Sequence, residues 1–122
     1  MKPEIRFHVR DGHDGTRLGI GPGKVALLET IGETGSITAS ARKLGMSYRR
    51  AWLLVDETNR CLVRPAVKTM TGGPQGGGAA LTPAGVELVR RYRALERLAS
   101  TAVTRELNPL LRTLAPGRSS RK

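Results

Sequence analysis

Apolar and polar side chains alternate with period two along Ile5-Arg6-Phe7-His8-Val9, and a second short run, Thr16-Arg17-Leu18-Gly19-Ile20, follows the turn-forming residues Asp11-Gly12-His13-Asp14-Gly15. This predicts a small β-hairpin. The period then changes. Pro22 suits the first turn of a helix whose apolar positions Val25, Leu27, Leu28 and Ile31 recur at helical spacing, ending near Gly32 to Gly35. Ser36 is an N-cap for a short helix with Ile37, Ala41 and Leu44 on one face, stopping at Gly45, where a left-handed backbone costs little. From Ser47, a further cap, the positions Ala51, Leu54, Val55, Thr58 and Leu62 form one stripe, predicting a helix of about four turns that Pro65 ends. Pro65 to Met70 reads as a strand, Gly72 to Gly78 as a glycine-rich tip, and Ala79 to Leu81 as the returning strand. Thr82-Pro83 combines an N-cap with a proline at the first helical position and opens a long helix to about Leu107, where Asn108-Pro109 breaks or restarts it.

The segment Gly35 to Trp52 has the grammar of a helix-turn-helix. Two short helices joined by a three-residue turn cross closely, so the first needs a small residue facing the second, here Ala41, and the turn favours glycine, here Gly45. Leu44, Met46, Ala51 and Leu54 are expected to fill the seam. Ser47, Tyr48, Arg49 and Arg50 are left outward at the start of the second helix, with Trp52 just beyond. A helix N-terminus suits phosphate and an arginine suits a base edge. Ser36 and Thr38 on the preceding helix, and Lys68, Gly73, Gln75, Gly76 and Gly77 on the glycine-tipped hairpin, complete the expected DNA-contact set. In the long helix Leu88, Tyr92, Leu95, Ala99 and Ala102 follow a 4-3-4-3 spacing, the seam of helices that pack in pairs. An α-hairpin with merely solvated arginines is the plainer alternative for the central segment, and packing onto its own domain is the plainer alternative for the first turns of the long helix.

Charge sharpens this picture. The 122 residues carry 21 Lys+Arg against 10 Asp+Glu, a formal net charge of +11, and only three of the cations, Arg118, Arg121 and Lys122, lie in the last five residues. A body this basic calls for a polyanionic partner. The composition, 39% apolar but 3% aromatic, supports one modest core of aliphatic residues. The single Cys61 excludes an intrachain disulfide and makes a cysteine-based zinc site untenable. No apolar run approaches the ~18 to 20 residues of a membrane span.

Catalytic motifs are absent from the pattern. Gly19-Ile20-Gly21-Pro22-Gly23-Lys24 lacks the first glycine of a P-loop, where Leu18 stands, and the Ser/Thr, where Val25 stands. His8 and His13 without neighbouring cysteines define no metal site, and Glu29, Asp56 and Glu57 lie on predicted helices among basic residues, where ion pairing explains them. No enzyme, metal or cofactor is expected.

The chain resembles the N-terminal DNA-binding domain of the ModE family of molybdate-responsive transcriptional regulators, a winged-helix group related to the LysR-type DNA-binding domain. The resemblance rests on Leu18-Gly19 through Pro22-Gly23-Lys24, Leu27-Leu28-Glu29, Thr34-Gly35-Ser36-Ile37, Gly45-Met46-Ser47-Tyr48-Arg49-Arg50-Ala51-Trp52, Val55-Asp56, Asn59, Gly72-Gly73, Gly76-Gly77-Gly78 and Leu81-Thr82. It implies that the helix from Ser47 enters the major groove, that the glycine hairpin is the wing, and that the long helix pairs two subunits. Ser40 stands where alanine is commoner. The family's molybdate sensors carry C-terminal oxyanion-binding modules, whereas this chain ends at Lys122, so the stand-alone form without direct molybdate binding is expected.

The resulting expectation is a mainly α fold with small β-hairpins, a winged helix-turn-helix with a long C-terminal dimerisation helix. Residues 1–81 form the DNA-binding domain, 82–115 the dimerisation helix and 116–122 a disordered basic tail. The expected function is sequence-specific binding of duplex DNA at an inverted repeat, as a cytoplasmic, nucleoid-located homodimer with no membrane partner. The rival is a basic nucleoid-associated or RNA-binding protein that does not choose sequence.

Overall fold

The computed structural model describes residues 5–10, 19–70 and 78–114. Its elements run β1 (Val9–Arg10), β2 (Gly19–Ile20), α1 (Pro22–Thr34), α2 (Ile37–Leu44), α3 (Tyr48–Cys61), β3 (Val67–Met70), β4 (Gly78–Leu81) and α4 (Pro83–Thr113). Among the described residues, four helices and two antiparallel hairpins, β1-β2 and β3-β4, make a mainly α winged helix with a long last helix.

The helix starts follow the caps. Ser36 accepts a hydrogen bond from the Ala39 N–H, Ser47 from Arg50 and Thr82 from Gly85, each satisfying a donor that the first turn leaves without an intrahelical partner. Gly45 ends α2 with φ 72, and the Met46 N–H reaches back to the Ala41 carbonyl at 2.9 Å, closing the tight turn into α3. Gly35 plays the same part between α1 and α2, at φ 71, and its carbonyl also accepts from the Ala79 N–H at 2.9 Å. That bond ties β4 to the helix-turn-helix.

The main core packs Leu27, Leu28 and Ile31 of α1 against Ile37 and Ala41 of α2, Ala51 and Val55 of α3, and Ala66, Val67 and Ala79 at the wing base. A second cluster joins Ile20 and Val25 to Tyr92 of α4. Polar groups inside are satisfied. Ser40 is fully buried and shares a 2.8 Å hydrogen bond with the Thr34 hydroxyl, which explains a hydroxyl where alanine is commoner. Thr30 and Thr58 bond the carbonyls of Ala26 and Leu54.

Several expectations need correcting. Among the described residues the first hairpin pairs Val9 with Ile20 and Arg10 with Gly19, and its turn and residues 16–18 of the expected second run lie outside them. α3 stops at Cys61, short of Pro65, because Leu62 turns to an extended backbone at φ −108 and ψ 153 and leads the chain toward the wing. The wing strand accordingly starts at Val67, not Pro65. Leu44 stays 36% exposed at the edge of the helix-turn-helix seam, while Met46 and Leu54 pack on the core. α4 does not break at Asn108-Pro109 but continues to Thr113. Proline removes one helical hydrogen bond, and at this exposed end water can meet the carbonyl left behind.

Tyr92 is the largest correction. Expected on a pairing seam, it is 3% exposed and buried within its own chain, donating its hydroxyl hydrogen to the Phe7 carbonyl. Burial, with the Glu96 carboxylate nearby, pushes its phenol above the usual range. Leu88 likewise packs against both core clusters. The core therefore extends across residue 82 into the first turns of α4, and the tail at 116–122 lies outside the described residues.

Candidate nucleic-acid interface

α3 has one buried side, defined by Ala51, Val55 and Thr58. Advancing about 100° per residue from that side fixes where the others point. Arg49 and Leu53 stand on the crest opposite the core. Tyr48, Trp52 and Asn59 share one flank, and Arg50, Glu57 and Cys61 share the other. Contacts identify the two flanks: Asn59 reaches the wing, whereas Glu57 pairs with Lys24 at 3.4 Å and the Cys61 thiol lies 3.9 Å from the Gly19 carbonyl. Arg49 and Arg50, adjacent in sequence, thus address different directions.

All of Ser47, Tyr48, Arg49, Arg50 and Trp52 are exposed, as is Thr38 on α2, while Ser36 is half-buried and spends its hydroxyl on capping. Among the described residues Lys43 pairs with Glu33 at 3.1 Å and Arg60 with Asp56 at 3.2 Å, and neither pair engages Arg49 or Arg50. No acidic residue stands in the first turn of α3. Two guanidinium groups without an ion-pair partner among the described residues, beside a helix N-terminus, make an anion-seeking surface, because the dipole and the side-chain charge have the same sign there.

The wing is held beside that surface by Asn59, whose role residue type alone did not announce. Its side-chain oxygen accepts the N–H groups of Ala66 at 2.8 Å and Val67 at 3.1 Å, and its amide donates to the Val67 carbonyl at 3.2 Å. Thr82 completes the anchor by donating its hydroxyl to the Pro65 carbonyl at 2.6 Å and its N–H to that of Ala66 at 2.9 Å. β3 and β4 then pair from Val67 with Leu81 to Met70 with Gly78, which leaves Lys68 exposed. Gly73, Gln75, Gly76 and Gly77 lie outside the described residues.

The expected pairing residues divide along α4. Leu88 and Tyr92 are in the core, Ala99 is half-exposed, and Leu95 and Ala102 are exposed, Leu95 at 54%. Further apolar residues missed by the 4-3-4-3 pattern are exposed with them: Leu98 at 69%, Leu110 at 54% and Leu114 at 47%. Leu98 was detectable three residues after Leu95, on the neighbouring edge of the same face.

No family model matches the chain. Among curated proteins it is 51% identical over 77 residues to the molybdenum-pterin-binding protein MopB of Rhodobacter capsulatus, covering 63% of this chain and 28% of that protein. It is 40% identical over 80 residues to the transcriptional regulator ModE of Haemophilus influenzae, covering 66% and 31%. To the DNA-binding transcriptional dual regulator ModE of Escherichia coli K12 it is 37% identical over 81 residues, again covering 66% and 31%. The chain thus spans less than a third of the length of these relatives.

Proposed function

Since about two-thirds of its length is of the ModE type, we propose that this protein is a transcriptional regulator that binds duplex DNA sequence-specifically at an inverted repeat, as a homodimer, in genes tied to molybdenum supply. The observation that carries the reading is the capped, acid-free start of α3, with Arg49 and Arg50 exposed and unpaired among the described residues, beside a wing anchored by Asn59. In this reading α3 lies in the major groove, Lys68 and the glycine tip follow the neighbouring phosphates, and Ser36 and Thr38 approach the backbone from α2. Dimerisation uses the exposed distal part of α4, through Leu95, Leu98, Ala99 and Ala102. A twofold axis there sets two α3 helices against one face of the duplex.

Binding to an inverted-repeat duplex, competed against random DNA at fixed salt, tests the reading. Arg49→Ala and Arg50→Ala should each weaken it by about 1 to 3 kcal/mol where the arginine meets a guanine edge. A loss equal on all DNA assigns the arginine to phosphate. Wild-type affinity in both variants would remove α3 from the groove. Equal affinity of the unaltered protein for every duplex would instead favour the rival, a sequence-blind nucleic-acid binder, to which the net charge of +11 is equally suited.

Molybdate itself is given no binding step. A cavity of about 380 Å³ lies between the α3–β3 loop and α4, lined by Leu62, Val63, Arg64, Ala84, Glu87, Leu88 and Arg91. Its walls are largely apolar, and Glu87 is already paired with Arg91 at 2.6 Å and Arg90 at 2.8 Å. An oxyanion needs converging unpaired donors, and of these residues Arg91 already spends its charge on Glu87.

A further inference from the structure

The outward side of α3, its crest and the flank bearing Trp52, is apolar as well as cationic. Trp52 is 46% exposed and Leu53 40% exposed, in a chain with only 3% aromatic residues, and neither belongs to a core cluster. On a helix they are the i+3 and i+4 neighbours of Arg49, so the three side chains form one contiguous patch. No carboxylate interrupts it before Asp56, which is occupied by Arg60. The major groove offers guanine N7 and O6 to an arginine, and only one apolar group on its floor, the 5-methyl of thymine. One helical turn advances about 5.4 Å, or between one and two base steps of 3.4 Å, so a guanidinium and the apolar pair one turn further on address neighbouring base pairs.

We propose that Trp52 and Leu53 read thymine 5-methyl groups adjacent to the position contacted by Arg49, making methyl recognition a determinant of which sequences this protein chooses. The inference rests on the placement of α3 in the groove. It also supplies a reason for preferring DNA over RNA, whose uracil lacks that methyl.

The test uses the full chain and a duplex enriched by it from a random-sequence pool. That duplex is resynthesised with single thymines replaced by deoxyuridine, which removes only the methyl. One or two positions in each half-site should weaken by about fourfold, the factor for one buried methyl group. Trp52→Ala or Leu53→Ala should abolish the difference between thymine and uracil at its own position. An enriched duplex in which every uracil replacement is silent overturns the proposal while leaving sequence-specific binding intact. Variants that still distinguish thymine from uracil as the wild type does overturn it too. A pool from which nothing is enriched removes this proposal and the sequence-specific reading together.

Discussion

The two halves of α4 are one continuous helix with opposite surroundings. In the first half Gly85 is pressed against the Ala66 carbonyl, Tyr92 is buried beneath Phe7, and Arg93 grips Glu29 of α1 through two hydrogen bonds of 2.9 and 2.6 Å, with Glu96 at 2.6 Å. The second half exposes Leu98 and Leu110, and Leu114 is exposed just past its end. At ~1.5 Å per residue the 31 residues of the whole of α4 extend about 46 Å, more than the small domain can cover. The comparison teaches that apolar spacing along a helix records that something packs there, but not whether the partner is the same chain or another. Leu88, Tyr92 and Leu95 belong to one regular series, yet the domain claims the first two and leaves the third 54% exposed.

The hardest way to break the first half is at its closest approach. A Cβ at Gly85 would collide with the Ala66 carbonyl, backbone that Thr82 and Asn59 hold in place. Gly85→Ala should therefore lower unfolding stability by about 3 kcal/mol in a urea titration, the upper range for overpacking a tight site. Gly23, with open space where a Cβ would go, provides the contrasting substitution and should change stability by less than about 0.5 kcal/mol.

The second half is tested by charge. Leu98→Asp combined with Leu110→Asp should raise the dissociation constant of the proposed dimer about a hundredfold, equivalent to some 2.7 kcal/mol, because a pairing surface would have to bury carboxylates. Sedimentation across a concentration series measures this. A doubly substituted chain that associates as tightly as the wild type would show that the distal leucines pair with nothing.

A smaller effect separates packing from hydrogen bonding at the junction. Tyr92→Phe keeps the buried ring and removes only the donor to the Phe7 carbonyl, so it should cost about 1 kcal/mol, with faster amide exchange in β1 and β2. Equal exchange in the two proteins would mean that the hydroxyl does not hold the N-terminal segment.

The smallest expected change is electrostatic. The Arg93 hydrogen bonds hold the Glu29 carboxyl below the usual range, against an opposing contribution from burial. A depressed folded-state value stabilises the protein above the ordinary glutamate pKa of about 4.3, and this contribution disappears as pH falls through the folded value. The pair is about one-third exposed, so less than about 1 kcal/mol is at stake. Melting curves from pH ~7 to ~3 should show Glu29→Gln losing less stability than the wild type across the acidic part of that range. Parallel curves would remove the ion pair from the account.

Local chemistry made much of the fold legible in the chain. Ser36, Ser47 and Thr82 announce helix starts because each hydroxyl satisfies a backbone donor within its own first turn, and Gly35 and Gly45 announce ends because a left-handed residue closes the last one. The exposed start of α3 follows from the same kind of evidence, since its buried stripe fixes its outward side. Decisions that depend on distant segments were not legible. That Asn59 clamps the wing requires Ala66 and Val67 to return beside α3, and that Tyr92 is core requires Phe7, 85 residues earlier, to close over it. Caps, turns and amphipathic stripes are settled within a few residues of sequence. Which apolar face is covered, and by what, depends on contacts between segments whose distance along the chain says nothing of their distance in space.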